Sequence, residues 1–341
     1  MQNFDVVIIG AGPAGCQCAR SLAGLGYHVL LVEQHKDFLQ NNFSSAATPM
    51  VTLEQFALPD AVVGSYWQKL AIITTAAECN WQSSRPVGAV LDFAKLRQFL
   101  AHTIEVNGGV IWMSHRYISH THVAGKTAVL IKSKEGDIIT IGTRILVDAT
   151  GFSRAVIYSD KKDKPAFLRA KGIEYLLEVS DKVYQDYANT LLFFMGHKWS
   201  PKGYAWIFPM ADNQLKVGAA CYDETHKLIQ QIKPLKKYIH SIIEDYMRLE
   251  RYKVIDRHGS ILEYSPGLND IFQFSDTKSP NCPSPKSSAS MLGVFDGNIF
   301  APLVQPSGCF QLTSCQDVML PLKITTAIGR MKIWAPATPG T

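Results

Sequence analysis

The apolar positions of the chain fall into three patterns. Val6-Val7-Ile8-Ile9, Tyr27-His28-Val29-Leu30-Leu31-Val32 and Ile145-Leu146-Val147 are nearly unbroken apolar runs, as expected of strands buried on both faces of a parallel sheet. Cys16 to Leu25 and Phe93 to Val106 carry helical spacing, with Leu96, Phe99, Leu100 and Thr103 on one side of the second. Gly26 and Gly108-Gly109 stop these two helices, and Val110 to Met113 returns as a strand. Ala128 to Ile131 and Ile138 to Ile141 flank Lys134-Glu135-Gly136-Asp137, a hairpin signal that also places the histidines between His115 and His122 on a hairpin edge. Ile173 to Leu177, Thr190 to Met195, Gly203 to Pro209 and Leu215 to Ala220 read as strands of an antiparallel sheet, the last pair as a hairpin. Weaker patterns predict a strand at Ile72 to Thr75, a helix at Val51 to Phe56 and a helix from Lys227 to Arg251 broken by Pro234. A strand at Met291 to Asp296 and a helix from about Cys309 follow, with boundary or loop segments at Asp160 to Lys164 and Ser275 to Ser290. The predicted class is α/β: a Rossmann-like parallel sheet with an α+β part built on an antiparallel sheet.

The first strand runs directly into Gly10-Ala11-Gly12-Pro13-Ala14-Gly15, a GxGxxG spacing that opens a helix. Such glycines permit a tight turn, close approach of backbone to a pyrophosphate, and close packing of helix on sheet. The helix N-terminus then presents free N–H groups and a partial positive charge to the phosphates. Glu33 ends the next strand 18 residues beyond Gly15, where a carboxylate accepts both hydroxyls of an adenosine ribose. Strand, glycines, helix, strand and acid in this order predict a dinucleotide site made of Gly10 to Gly15, Glu33 and the following Gln34. Small residues Ser44 to Thr48 either let backbone lie against a flat ligand or form a plain turn. Asp148 closes a buried strand ahead of Gly151, and strand ends of this kind face ligands in open α/β sheets. Tyr204, Trp206 and Phe208 alternate on one strand, either toward a ligand or as aromatic core.

Composition narrows the class. The chain has 341 residues, 47% hydrophobic and 18% charged, which suits a folded protein with a sizeable core. A net charge of +5 names no partner, and no basic pattern points to nucleic acid. The first strand starts so early that no cleavable signal is expected before it, and no apolar run reaches the roughly 18 residues of a spanning helix. Seven cysteines without paired spacing point to a reducing, cytoplasmic setting, with peripheral membrane contact through the lysines of 227 to 237 as a second expectation. No metal-ligand spacing is present, and no Ser/His/Asp set or carboxylate pair suggests hydrolysis. The sequence does not set the oligomeric state.

In this order the elements resemble the FAD-dependent oxidoreductases of the glutathione-reductase-like fold, in the branch of geranylgeranyl reductases, flavin-dependent halogenases and aromatic hydroxylases. Four motifs carry the resemblance: Gly10 to Gly15 with Glu33; Asp148-Ala149-Thr150-Gly151-Phe152-Ser153-Arg154; Gly203-Tyr204-Ala205-Trp206-Ile207-Phe208-Pro209 with Val217-Gly218; and Phe295-Asp296 with Gly308. In the fourth, Phe295, Gly297, Asn298 and Pro306 depart from the family pattern, and Asp92-Phe93 stand where an arginine often starts the helix. The resemblance implies FAD as cofactor, held by Gly10, Ala11, Gly12, Pro13, Ala14, Gly15, Glu33, Gln34, Thr48, Asp148, Gly151, Asp296 on the ribityl chain and Gly308 along the isoalloxazine. It implies an FAD-binding domain over 1–50, 90–160 and 285–341, and a substrate domain over 51–89 and 161–284. The helix from about Cys309 would aim its N-terminus at the flavin's pyrimidine edge. Tyr204, Trp206 and Phe208 would wall a pocket for an apolar, isoprenoid-like or aromatic small molecule. The implied activity is C=C reduction, with NAD(P)H as candidate transient reductant. Hydroxylation or halogenation is the alternative, the latter with Lys69 as its lysine, and a binding module without turnover is a third reading.

Overall fold

A computed structural model describes residues 1–264 apart from 41, 43, 124–125, 159–161, 163–167 and 223–232, together with 308–311. Its elements in chain order are β1 (Gln2–Ile9), α1 (Pro13–Gly24), β2 (Val29–Val32), β3 (Ala47–Pro49), α2 (Met50–Gln55), β4 (Val63–Trp67), β5 (Lys69–Ile73), β6 (Glu78–Gln82) and β7 (Gly88–Leu91). There follow α3 (Phe93–Val106), β8 (Val110–Trp112), β9 (Arg116–Val123), β10 (Lys126–Lys132), β11 (Ile138–Asp148), β12 (Leu168–Glu178), α4 (Asp181–Gln185) and β13 (Thr190–Met195). The last are β14 (Gly203–Pro209), β15 (Gln214–Tyr222), α5 (Leu235–Ser241) with a π-helical turn Ile242–Tyr246, β16 (Lys253–Tyr264) and β17 (Gly308–Gln311).

The first sheet runs β8-β2-β1-β11-β10-β9 with β17 also on β11. The pairs β1–β11, β1–β2 and β2–β8 are parallel, while β9, β10 and β11 form an antiparallel meander at one side. Val6 and Ile8 face one core with Cys16, Ala19 and Leu22 of α1 and Leu96, Leu100 and Ile104 of α3. Val7 and Ile9 face the other, with Leu30, Val32, Ile141 and Leu146. Both faces are therefore buried, which is why these strands read as unbroken apolar runs.

A three-stranded sheet, β3-β7-β4, stands between this sheet and a seven-stranded one of order β16-β12-β15-β14-β13-β5-β6. The latter is antiparallel except where β13 meets β5. One of its faces packs on α5 and the π turn through Leu177, Phe194, Ile207 and Val217. The other carries Phe193, Trp206, Phe208 and Ala220 and meets Ala47 and Val90 of the small sheet.

Four expectations are corrected. α1 begins at Pro13, not Cys16, because proline is pre-set for the first helical position and its missing N–H has no partner there anyway. Ile138–Ile141 and Ile145–Asp148 belong to one strand; Gly142 does not break it, since a Cβ there would sit 2.2 Å from Asn3 Oδ1 on the neighbouring strand. The helix after Pro234 ends by Tyr246 instead of reaching Arg251, and residues 227–232 lie outside the described residues. Gly308–Gln311 is a strand, not a helix start: β10 leaves β11 at Thr143, so Ile145–Asp148 has an open edge, and β17 pairs there in parallel. The expected strand at Met291 to Asp296 and the loop at Ser275 to Ser290 lie outside the described residues, as does most of Asp160 to Lys164.

Candidate functional site

The glycine turn sits where β1, β2 and β11 end together. Gly10 adopts φ +104° and donates its N–H to Val32 O at 2.8 Å. A Cβ at Gly10 would meet Ala149 O at 2.4 Å, and one at Gly15 would meet Gly10 O at 1.9 Å. These two glycines are needed for the turn to close on β11 and for α1 to lie against it. Gly12 differs: nothing lies within 4 Å of the place its Cβ would take. It is also the N-cap of α1, with no side-chain cap and no acid in the first turn. Open space beside Gly12 thus adjoins a helix end whose N–H groups no side chain satisfies, a setting that favours an anion.

Glu33, 7% exposed, turns toward the glycine turn. Its Oε2 accepts the Ala11 N–H at 2.8 Å, and its Oε1 accepts the His35 N–H at 2.9 Å with His35 Nδ1 at 2.7 Å. Gln34 beside it is exposed. The segment after Glu33 is held by Arg97 of α3, whose guanidinium donates to Phe38 O and Gln40 O and lies over the rings of Phe38 and Phe93. Burial lowers the pKa of Arg97, with Cys16, Glu33 and Asp37 opposing that shift. Arg97 escaped the sequence reading, although a charge in the apolar phase of 93–106 was its visible signal.

Thr48 lies on β3, buried, and its Oγ1 has no hydrogen-bond partner among the described residues. A polar ligand or an ordered water would satisfy such an atom. Asp148 is different. It is 0% exposed, and its carboxylate accepts from Thr150 N and Oγ1 through Oδ1 and from Val156 N and Ile157 N through Oδ2. Four donors from its own chain occupy it, so it shapes the loop after β11. Gly151 starts the 3-10 turn of that loop at φ +63°. Asp296 lies outside the described residues, and Gly308 stands opposite Ile145 in the sheet, three positions short of Asp148.

Tyr204, Trp206 and Phe208 share one face of the seven-stranded sheet, as alternation requires, and Phe193 packs on both Tyr204 and Phe208. Lys69 does not join them: it shares a face of its strand with Ala71 and Ile73, which point away from the aromatic side. Another lysine does. Lys216, 8% exposed, stands opposite Phe208 on the aromatic face, and its Nζ donates to Ser44 O at 2.7 Å. Burial holds its ammonium below the usual lysine range, with Glu174 and Asp92 pulling the other way. Glu174 is on the same face, 3% exposed, and accepts the Trp206 Nε1–H at 2.7 Å. Burial, and then Glu174, push the Tyr204 phenol up. Neither Lys216 nor Glu174 was singled out from sequence; their signal was a charge at an inward position of an otherwise apolar strand.

The protein-family model described as "Lycopene cyclase protein" matches residues 5–266. The digeranylgeranylglycerophospholipid reductase of Haloferax volcanii is 32% identical over 234 residues, 66% of this chain and 55% of that protein. The chloroplastic lycopene beta cyclase of Solanum lycopersicum is 26% identical over 199 residues, 55% of this chain and 37% of that one. The chain spans 55 to 64% of the length of the first three curated reductases it matches. Among solved structures, a geranylgeranyl bacteriochlorophyll reductase-like protein of Thermoplasma acidophilum superposes with TM-score 0.71 at 18% identity, covering 89% of this chain and 78% of that one. A myxobacterial FAD-dependent chondrochloren halogenase superposes with TM-score 0.59 at 17% identity, covering 78% and 66%. At these identities the structures speak for the fold, the Rossmann-like arrangement expected from the sequence.

Proposed function

Because the chain belongs to the lycopene cyclase protein family, we propose that it binds FAD across the ends of its parallel sheet and acts as a C=C reductase on an apolar, isoprenoid-like substrate. The observation that carries the cofactor is the open space at Gly12 together with the Glu33 carboxylate bonded to the neighbouring Ala11 N–H. The α1 N–H groups would hold the pyrophosphate, and Glu33 the adenosine ribose. Thr48 Oγ1 would take a polar atom further along. Asp296 and Gly308 would serve the flavin end, and Asp148 would act only by shaping its loop. In domain terms, 1–50, 90–160 and 285–341 would carry the cofactor, and 51–89 and 161–284 the substrate.

Bound and reduced FAD supplies a hydride. The chain's own part is position and exclusion of water. Tyr204, Trp206 and Phe208 would close one side of an apolar site, and Lys216 would hold the Ser44 end of the small-residue segment against that wall. The reductase relatives, the first of them 32% identical, support the isoprenoid substrate and the reductive chemistry. NAD(P)H is the proposed transient reductant. Delivery of a lipid substrate would bring the protein to a membrane surface; no helix of the described residues is long and apolar enough to cross one.

Cofactor extraction and mass spectrometry of the purified chain test the first step, with FAD expected. Anaerobic mixing of the reduced protein with a geranylgeranylated lipid tests the second: flavin reoxidation with loss of double bonds is expected. Oxygen-dependent hydroxylation or halide incorporation instead would move the chain to the monooxygenase or halogenase alternative. A protein that takes up no FAD would be a binding module.

A further inference from the structure

One row of the seven-stranded sheet has no role in holding the cofactor. Across β16, β12, β15 and β14 it reads His258, Glu174, Gly218, Trp206, each residue paired with the next. Gly218 makes the row possible. A Cβ there would lie 2.1 Å from the Trp206 ring, so the indole lies over the bare backbone of β15 and reaches the carboxylate two strands away. The two oxygens of Glu174 are then unequal. Oε2 holds the indole N–H at 2.7 Å, whereas Oε1 is buried, 3.3 Å from His258 Nε2, without an aligned hydrogen bond. The other nitrogen of His258, Nδ1, lies 3.2 Å from Oδ2 of Asp256, whose side chain is exposed. The contacts lead stepwise from solvent to an acid on the aromatic wall.

We propose that Asp256, His258 and Glu174 form a proton path, and that Glu174 supplies the proton that must accompany hydride addition to an isolated double bond. The inference rests on the reductase reading above. FAD, once bound and reduced, would supply the hydride, and with it both electrons of the new C–H bond at one alkene carbon. The former π pair takes a proton at the other carbon, and the Glu174 carboxyl, giving it up, becomes a carboxylate. His258 passes its Nε2 proton to Oε1 and takes one at Nδ1 that Asp256 relays from water, so the ring ends uncharged. A wall that excludes water needs such a stored proton, because an apolar substrate brings none. Among the described residues, Lys216 and Tyr204 also act electrostatically with Glu174, and Tyr222 lies beside Tyr204.

The test uses the FAD-loaded chain and three variants. Glu174→Gln keeps an acceptor for Trp206 and the side-chain shape but carries no proton. It should retain flavin and melting temperature while lipid-dependent reoxidation falls about 100-fold or more. His258→Asn should slow the same step, and added imidazole should restore it. Asp256→Asn, at an exposed position that disturbs no core contact, should slow it less. Tryptophan emission of the flavin-free protein against pH gives a second readout: a step in the wild type, absent in Glu174→Gln and in Trp206→Phe, and displaced in His258→Asn. Wild-type reoxidation rates in Glu174→Gln would overturn the path, as would an emission step that survives that substitution or no step in the wild type. A wild-type protein that no geranylgeranylated lipid reoxidises sinks the reductase reading, and displacement of the emission step in His258→Asn then tests only the link between His258 and Glu174.

Discussion

At the scale of single residues, the three glycines of the opening turn do different work, and substitution separates it. At Gly15 a methyl group would enter the Gly10 carbonyl at 1.9 Å, backbone against backbone, with no side chain free to yield. Gly15→Ala should cost about 3 kcal/mol or more of stability. Gly12→Ala meets nothing within 4 Å and has an ordinary φ of −71°. It should leave the denaturant midpoint within about 0.5 kcal/mol of wild type while abolishing FAD retention, since the methyl would occupy the space of the pyrophosphate. Equal loss of stability in both variants, measured by chemical denaturation, would mean that Gly12 serves the fold and not a site.

At the scale of elements, the loop after β2 owes its course to a helix far along the chain. Arg97 of α3 reaches back to the carbonyls of Phe38 and Gln40, and so fixes the segment that leaves Glu33. Arg97→Met keeps the stem and loses both charge-assisted bonds, each worth about 1.5–3 kcal/mol. The expected result is a lower melting temperature together with weaker FAD binding by titration. Intact affinity would show that Glu33 is placed by Ala11 and His35 alone. The same element shows what sequence makes legible. Gly10 to Gly15 with Glu33 could be read because its parts sit at fixed local spacing around one strand–helix–strand unit. Phe93–Val106 could be read from its periodicity and its Gly108-Gly109 stop, and the Asp92 cap, which accepts from Ala94 N and Lys95 N, agrees with them. Asp148 could not, since its partners are backbone donors eight and nine residues later, reached only once the loop is folded. Lys69 and Lys216 look alike in sequence. Only the phase of each strand against its neighbours puts one on the aromatic face and the other behind it. Glu174 required more still: the cross-strand register that sets Gly218 between it and Trp206.

For the whole molecule, the buried ionisable groups set the response to alkali. Cys16 and Cys18 of α1 are both fully buried, and burial pushes each thiol from 9.0 to about 12. Their unfolded counterparts ionise near 9, so above that pH the unfolded chain binds fewer protons than the folded one, and stability falls as pH rises. The contribution is fully present below pH 9 and gone by about 12, on the order of 4 kcal/mol per thiol. Tyr187, raised to about 12, and Tyr66, Tyr184, Tyr204 and Tyr246, also raised, act with the same sign from about pH 10 upward. Lys216 acts with the opposite sign: its lowered pKa makes the unfolded chain hold the extra proton below 10.5, so its contribution grows with pH over that window. Cys18 is the cleaner probe of the two thiols, because burial alone shifts it, whereas Cys16 also feels Arg97 and Glu33. Cys18→Ala should be somewhat less stable than wild type at pH 7, from the small cavity left under α1. Between pH 9 and 12 its stability should fall less steeply, and the two curves should converge or cross. Chemical denaturation of both proteins under reducing conditions at several pH values measures this. Parallel curves would mean that the thiol ionises equally in the folded chain, and that the core between α1 and the parallel sheet admits water.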